Sequence, residues 1–201
     1  MKRVLPGLAI AVSLAALARQ PRFLGPPVKK PADGGTRDAG KPLLNPGDEA
    51  PLTGGALYNP EAAFARAIQL RDWVGPDARE PVKAVVVTFF ATRCEPCKRE
   101  LPRLQAVYDE QKGKGLRVVS FAIDQEPSAE PAVRELLASH GITFPVVKDG
   151  SQLVARQYLG GQTILPAMFV LDGAGKIAFV RQGYEDAVDA LRAELVPLLS
   201  R

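Results

Sequence analysis

Cys94 and Cys97 are the two cysteines of this 201-residue chain, set three apart as Cys94-Glu95-Pro96-Cys97. Ahead of them runs an unbroken series of β-branched and aromatic residues, Val85-Val86-Val87-Thr88-Phe89-Phe90, and behind them a charged, amphipathic segment. Strand, two-thiol turn, helix: that order puts the thiols at a helix N-terminus, where unpaired N–H groups and the positive end of the helix dipole stabilise a thiolate. The chemistry permitted is thiol–disulfide exchange. Cys94 is the expected nucleophile, and Cys97, one turn on, the thiol that resolves the mixed disulfide. Pro96 has no N–H to donate where the first turn needs none, and Glu95 with Pro96 forms the variable pair that tunes potential and meets the partner.

Other uses of the pair fit less well. With both cysteines in one CxxC, no distant crosslink is available, and a bridge over so short a loop restrains the unfolded chain little. Structural zinc needs four ligands, whereas the chain adds a single histidine, His140, so no metal and no separate cofactor is expected. Glu100 lies three residues past Cys97 on the same helical face. It is either a carboxyl that moves the proton Cys97 must lose or a solvated charge beside Lys98 and Arg99. Leu165-Pro166 opens the strand AMFVLD, an unusual place for proline. A cis peptide explains it, as does an ordinary trans proline at a strand start.

The elements that must position these residues can be read in order. A short strand is expected in 52–58, then a helix start at Asn59-Pro60-Glu61 with Asn59 as its cap. Residues 83–90 read as a central buried strand, too uniformly apolar to be half exposed. The helix after Cys94 carries Leu101, Leu104, Val107 and Tyr108 on one face, contains Pro102 and stops at Gly113 and Gly115. Residues 116–123 form the next strand, parallel to the first because a helix joins them. A helix at 129–139, a strand at 143–147 and a helix at 151–159 follow. Strands 167–171 and 177–181 flank Asp172-Gly173-Ala174-Gly175, a hairpin signal, and a helix at 187–199 closes the chain. The fold class is α/β, with a central mixed sheet flanked by helices, an inserted αβ unit and an N-terminal extension.

Charge and the first residues bound partners and location. The net charge of +4 is concentrated early: residues 48–201 hold 18 basic and 20 acidic groups, so nothing there suggests a nucleic-acid face. Residues 1–18 begin Met-Lys-Arg, continue apolar and end Ala16-Leu17-Ala18, the pattern of an export signal or an uncleaved membrane anchor. Residues 19–47, rich in Pro and Gly, read as a flexible linker, leaving 48–201 as the domain. The expected location is therefore exported, in the periplasm, soluble or tethered to the inner membrane by the N-terminal segment.

Three stretches, FFATRCEPCKRELP, FPVVKDGSQLVARQY and LPAMFVLDGAGK, resemble the thioredoxin superfamily, specifically its exported TlpA/ResA/CcmG-like branch. The resemblance covers about residues 48–199. It implies a thioredoxin fold and a thiol–disulfide oxidoreductase acting on protein thiols and disulfides, with apocytochrome c among the candidate substrates and a membrane-embedded or other thiol protein as electron donor. It also implies Cys94 as attacker, Cys97 as resolver, a cis-proline at Pro166 docking substrate backbone beside Leu165, and a functional glutamate at Glu100. The branch's usual aromatic residue before the first cysteine is here Arg93, a cation that favours the Cys94 thiolate and a more oxidising disulfide. Two other functions remain on related folds. A peroxiredoxin-like thiol peroxidase would have threonine three before the cysteine, whereas Thr92 is two before Cys94. An SCO-like copper chaperone would use CxxxC and a nearby histidine.

Overall fold

The computed structural model describes residues 44–200 except Pro127, Gln162 and residues 184–186. The expected export segment and the linker up to residue 43 lie outside the described residues.

The centre is a strand with nowhere to be wet. β3 (Ala84–Phe90) is buried at all seven positions, so a half-polar alternation was never an option for it. It lies third in a five-stranded sheet ordered β5-β4-β3-β6-β7, with β4 Leu116–Ala122, β5 Val146–Lys148, β6 Ala167–Asp172 and β7 Ile177–Gln182. β3, β4 and β5 run parallel, while β6 and β7 pair antiparallel. The sheet is thus mixed, as expected for a βαβ unit followed by a hairpin. Gly175, with φ at 84°, turns the hairpin, and Asp172 N–H donates to the Lys176 carbonyl across it.

Alternation along β3 builds two cores. Ala84, Val86 and Phe90 face α1 (Glu95–Gln111), α2 (Ala129–Ser139) and α4 (Ala187–Leu199) through Leu101, Leu104, Val133, Leu137, Leu191 and Leu195. Val85, Val87 and Phe89 face α3 (Leu153–Leu159) through Val154, Ala155, Tyr158 and Leu159, along with Leu70 and Trp73. Phe89, Phe121, Tyr158 and Phe169 stack or meet edge-on within about 6 Å in that second core.

Several boundaries differ from the sequence reading for local reasons. The strand expected in 52–58 shrinks to β1 (Gly54–Ala56), which pairs with an unanticipated β2 (Ala67–Gln69). Asn59 does not cap a helix. A single 3-10 turn follows it, and its buried amide donates to the Phe144 carbonyl and accepts from Val146 N–H, both at 2.8 Å, tying β1 to β5. α1 continues through Pro102, and the chain turns back at Gly115, whose φ of 96° suits glycine. β5 begins at Val146 rather than Thr143, and α3 at Leu153, after Gln152 in the left-handed region. Residues 44–47, grouped with the linker on composition, join the body. Leu44 N–H donates to the Tyr158 carbonyl and Gly47 N–H to that of Ile177.

Candidate active site

Four residues past the end of β3, Cys94 stands as the N-cap of α1, with extended backbone at φ −87° and ψ 96°. Its own N–H donates to the Ala91 carbonyl at 2.9 Å, closing a tight turn, and its carbonyl accepts from Lys98 N–H at 3.2 Å. Cys97 N–H, one of the orphan donors of the first turn, points at Cys94 Sγ over 3.3 Å. The helix start thus offers the outer sulfur the group that favours a thiolate. The two cysteines are joined in a disulfide across Cα atoms 5.3 Å apart. Cys94 is half-buried whereas Cys97 is 1% exposed, so an incoming partner meets Cys94 first.

Glu100 follows Cys97 by one turn and is buried, at 4% exposure. Of its two sequence readings, the solvated surface charge is gone. Burial pushes its carboxyl up to about 7, against a smaller opposing pull from Arg103. Its neighbours divide differently. Glu95 is exposed and held below the ordinary carboxylate range by an ion pair with Lys98 at 2.7 Å. Pro96 is half-buried, and Arg93 is exposed at the outer edge of the turn.

Leu165–Pro166 is a cis peptide. Phe89 is in register with Ala167, so the next positions, Phe90 and Pro166, come together at the end of the sheet from which the thiol turn springs. Pro166 is buried and its carbonyl accepts from Gly183 N–H at 2.9 Å. Leu165, like Cys94, is partly buried against both core clusters. Residues more than seventy positions apart in sequence therefore share one corner of the molecule.

One pair escaped sequence reading. Asp124, the second residue after β4 and 5% exposed, receives Thr92 N–H on both carboxyl oxygens and the Thr92 hydroxyl on Oδ1. Its only sequence signal is a carboxylate at the end of an otherwise apolar strand. His140 ends α2, with Nδ1 3.0 Å from the Leu136 carbonyl and from Ser139 Oγ. Among the described residues no group of three or more His, Cys, Asp and Glu is placed to hold a metal ion. Grooves of about 530 and 630 Å³ open beside Tyr108 and Lys112 near the far end of α1, and neither is lined by the thiols, Glu100 or Pro166.

Comparison with known proteins finds relatives in both sequence and fold. Residues 56–180 match the family described as AhpC/TSA. The chain is 30% identical over 145 residues to the thiol-disulfide oxidoreductase ResA of Bacillus subtilis (strain 168), covering 72% of each chain. It is 33% identical over 116 residues to ResA of Oceanobacillus iheyensis, covering 58% of this chain and 54% of that one. Among solved structures, a putative thiol:disulfide interchange protein DsbE from Chlorobium tepidum superposes with a TM-score of 0.63 at 24% identity, over 78% of this chain and 99% of its own. StoA from Bacillus subtilis does so at 0.54 and 19%, over 72% and 98%. At these identities the two structures speak to the fold alone.

Proposed function

We infer the activity from kinship and site together: the chain belongs to the AhpC/TSA family, within the thioredoxin superfamily, and it is a thiol–disulfide oxidoreductase. The observation that carries this is the Cys94–Cys97 disulfide at the start of α1, one sulfur reachable and one buried.

In the reducing direction, the Cys94 thiolate attacks one sulfur of a partner disulfide, forms a mixed disulfide and expels the partner's other sulfur as thiolate. Cys97 gives up its proton and attacks Cys94 Sγ. The Cys94–Cys97 bond closes, the partner leaves with its second thiolate, and two electrons have moved to it. Glu100 receives the Cys97 proton in this scheme. Its burial beside Cys97 on the same helix face and a carboxyl near neutrality support that role. Pro166 and Leu165, with Glu95 and Pro96, form the surface against which partner backbone docks, and Arg93 biases the half-buried Cys94 thiol toward thiolate. No cofactor enters the scheme.

The partners we propose are exported protein thiols, apocytochrome c among them, with a membrane-embedded or other thiol protein as electron donor. The sequence of residues 1–18 supports an exported site of action, in the periplasm and either soluble or tethered. No helix among the described residues is long and apolar enough to cross a membrane.

A Cys97→Ala variant tests the reading. It should accumulate a mixed disulfide through Cys94 with exported thiol proteins, releasable by reductant. A Cys94 thiol no more reactive than free cysteine, with no captured partner, would refute it. Rapid consumption of hydrogen peroxide by the wild type would instead indicate a peroxidase, and tight Cu(I) binding dependent on His140 a copper carrier.

A further inference from the structure

The turn that presents Cys94 is anchored by a side chain outside the thiol, glutamate and proline set. β4 runs parallel to β3 with Phe90 opposite Ala122, and Ile123 N–H donates to the Phe90 carbonyl at 2.9 Å. Asp124 comes next, buried against Thr92. Its Oδ1 accepts Thr92 N–H at 3.0 Å and the Thr92 hydroxyl at 2.6 Å, while Oδ2 stands 3.1 Å from the same N–H. Thr92 is the middle of the turn that Cys94 N–H closes on the Ala91 carbonyl. Among the described residues, the hydrogen bonds of the Asp124 carboxyl all go to that one residue.

We propose that Asp124 is a positioning residue for the redox pair, acting through Thr92 to keep Cys94 at the helix N-terminus while the disulfide is open. In the oxidised protein the covalent bond to Cys97 fixes Cys94 by itself. Reduction removes that restraint. The 3.3 Å approach of Cys97 N–H to Cys94 Sγ then depends on the turn holding Cys94 in its extended N-cap conformation. Without the Asp124 bonds the turn loosens in the dithiol form only, the thiolate loses its donor, and the disulfide becomes favoured over the dithiol. A purely structural Asp124 would weaken both redox states alike and leave their balance untouched.

The proposal rests on the oxidoreductase reading and is tested on the full chain with two measurements. One is the rate of Cys94 alkylation by iodoacetamide against pH in a Cys97→Ala background, and the other the exchange equilibrium of the dithiol protein with glutathione. Asp124→Ala should slow alkylation below neutral pH about tenfold and shift the equilibrium about tenfold toward the disulfide, which for two electrons is about 30 mV. Asp124→Asn keeps the Oδ1 acceptor that takes both Thr92 donors and should restore most of each. Thr92→Val, which removes one bond from the turn's own side, should lose several-fold, and Thr92→Ser should not; this pair decides the matter if Asp124→Ala does not fold. Wild-type values for Asp124→Ala, or for Thr92→Val in its place, would overturn the proposal, as would losses equal in Asp124→Asn and Asp124→Ala. If wild-type Cys94 itself reacts no faster than free cysteine, it is the functional reading that falls.

Discussion

Glu100→Gln should make the oxidised protein more stable above neutral pH, and by an amount the structure sets. A glutamate carboxyl with an ordinary value of 4.5 is raised to about 7 by burial, so the folded chain holds its proton more tightly than the unfolded chain does. The native state therefore has its full stability below about pH 4.5 and loses it as pH rises through about 7, where a charge must be kept in an apolar place. At roughly 1.4 kcal/mol per pH unit, that interval costs about 3 kcal/mol. Glutamine has the shape of the protonated acid and never ionises, so the variant escapes the cost. The oxidised protein is the right material because its two sulfurs are bonded and take no part in the titration. Other raised carboxyls, such as that of Asp149, cancel when the variant is compared with the wild type. Urea unfolding from about pH 4 to about pH 8.5 should give stabilities differing by a constant at the acid end, then diverging in favour of Gln between about 4.5 and 7. Parallel curves across that range would refute the burial argument and return Glu100 to an ordinary carboxyl. In the reduced protein the same variant should lose the inflection near 7 from the pH profile of the resolving step.

Asn59→Asp should destabilise by about 1–3 kcal/mol in urea unfolding, because a carboxylate cannot donate to the buried Phe144 carbonyl. A helix cap would tolerate that change, so an unaltered midpoint would restore the capping role. Arg93→Gln should slow alkylation of Cys94 a few-fold at low ionic strength and much less in about 1 M salt, since the arginine is exposed and salt screens it. Equal rates in both salts would remove Arg93 from redox tuning. Phe64 is 99% exposed at a φ of 50°, so its side chain stabilises nothing by burial while its backbone is strained. Phe64→Gly should therefore be at least as stable as Phe64→Ala, reversing the usual order of those residues by about 1 kcal/mol in thermal or urea unfolding.

What the sequence disclosed was what is repeated along it or packed on both sides. β3 is almost uniformly apolar and α1, α2 and α4 are long enough for their apolar periodicity to be read, and α2 and α4 begin and end where expected. The three-residue strand β2 has no room to alternate and pairs only because β1 lies beside it. Asn59 misled because Asn-Pro-Glu is the local signature of a helix start, whereas its actual partners, Phe144 and Val146, are more than eighty residues away. The same distinction runs through the site. Cys94 and Cys97 declared themselves by spacing and Pro166 by its place before a strand. Asp124 had to wait for the fold, since nothing in the sequence says that the end of β4 will lie beneath Thr92.

The two sulfurs of this site answer to different physics, and on the proposed scheme only the outer one bears on the direction of electron flow. Cys94 is reachable, and its thiolate is favoured by helix N–H groups and, on our reading, by Arg93; each lowers the free energy of the reduced state and makes the disulfide a better oxidant. Cys97, at 1% exposure, cannot keep a charge at little cost, so it must take up a proton when formed and shed one when it attacks. A glutamate at its ordinary value would be ionised at neutral pH with no proton to give, whereas one near 7 is about half loaded and serves either direction. In the scheme proposed above, a raised Glu100 would lower the barrier to resolution without choosing a side. In that scheme the choice falls to the outer sulfur, where Arg93 stands in place of the aromatic residue of the resembling branch and is proposed to pull toward oxidation. A reductase built on this site would have to draw on a thiol donor strong enough to overcome that pull.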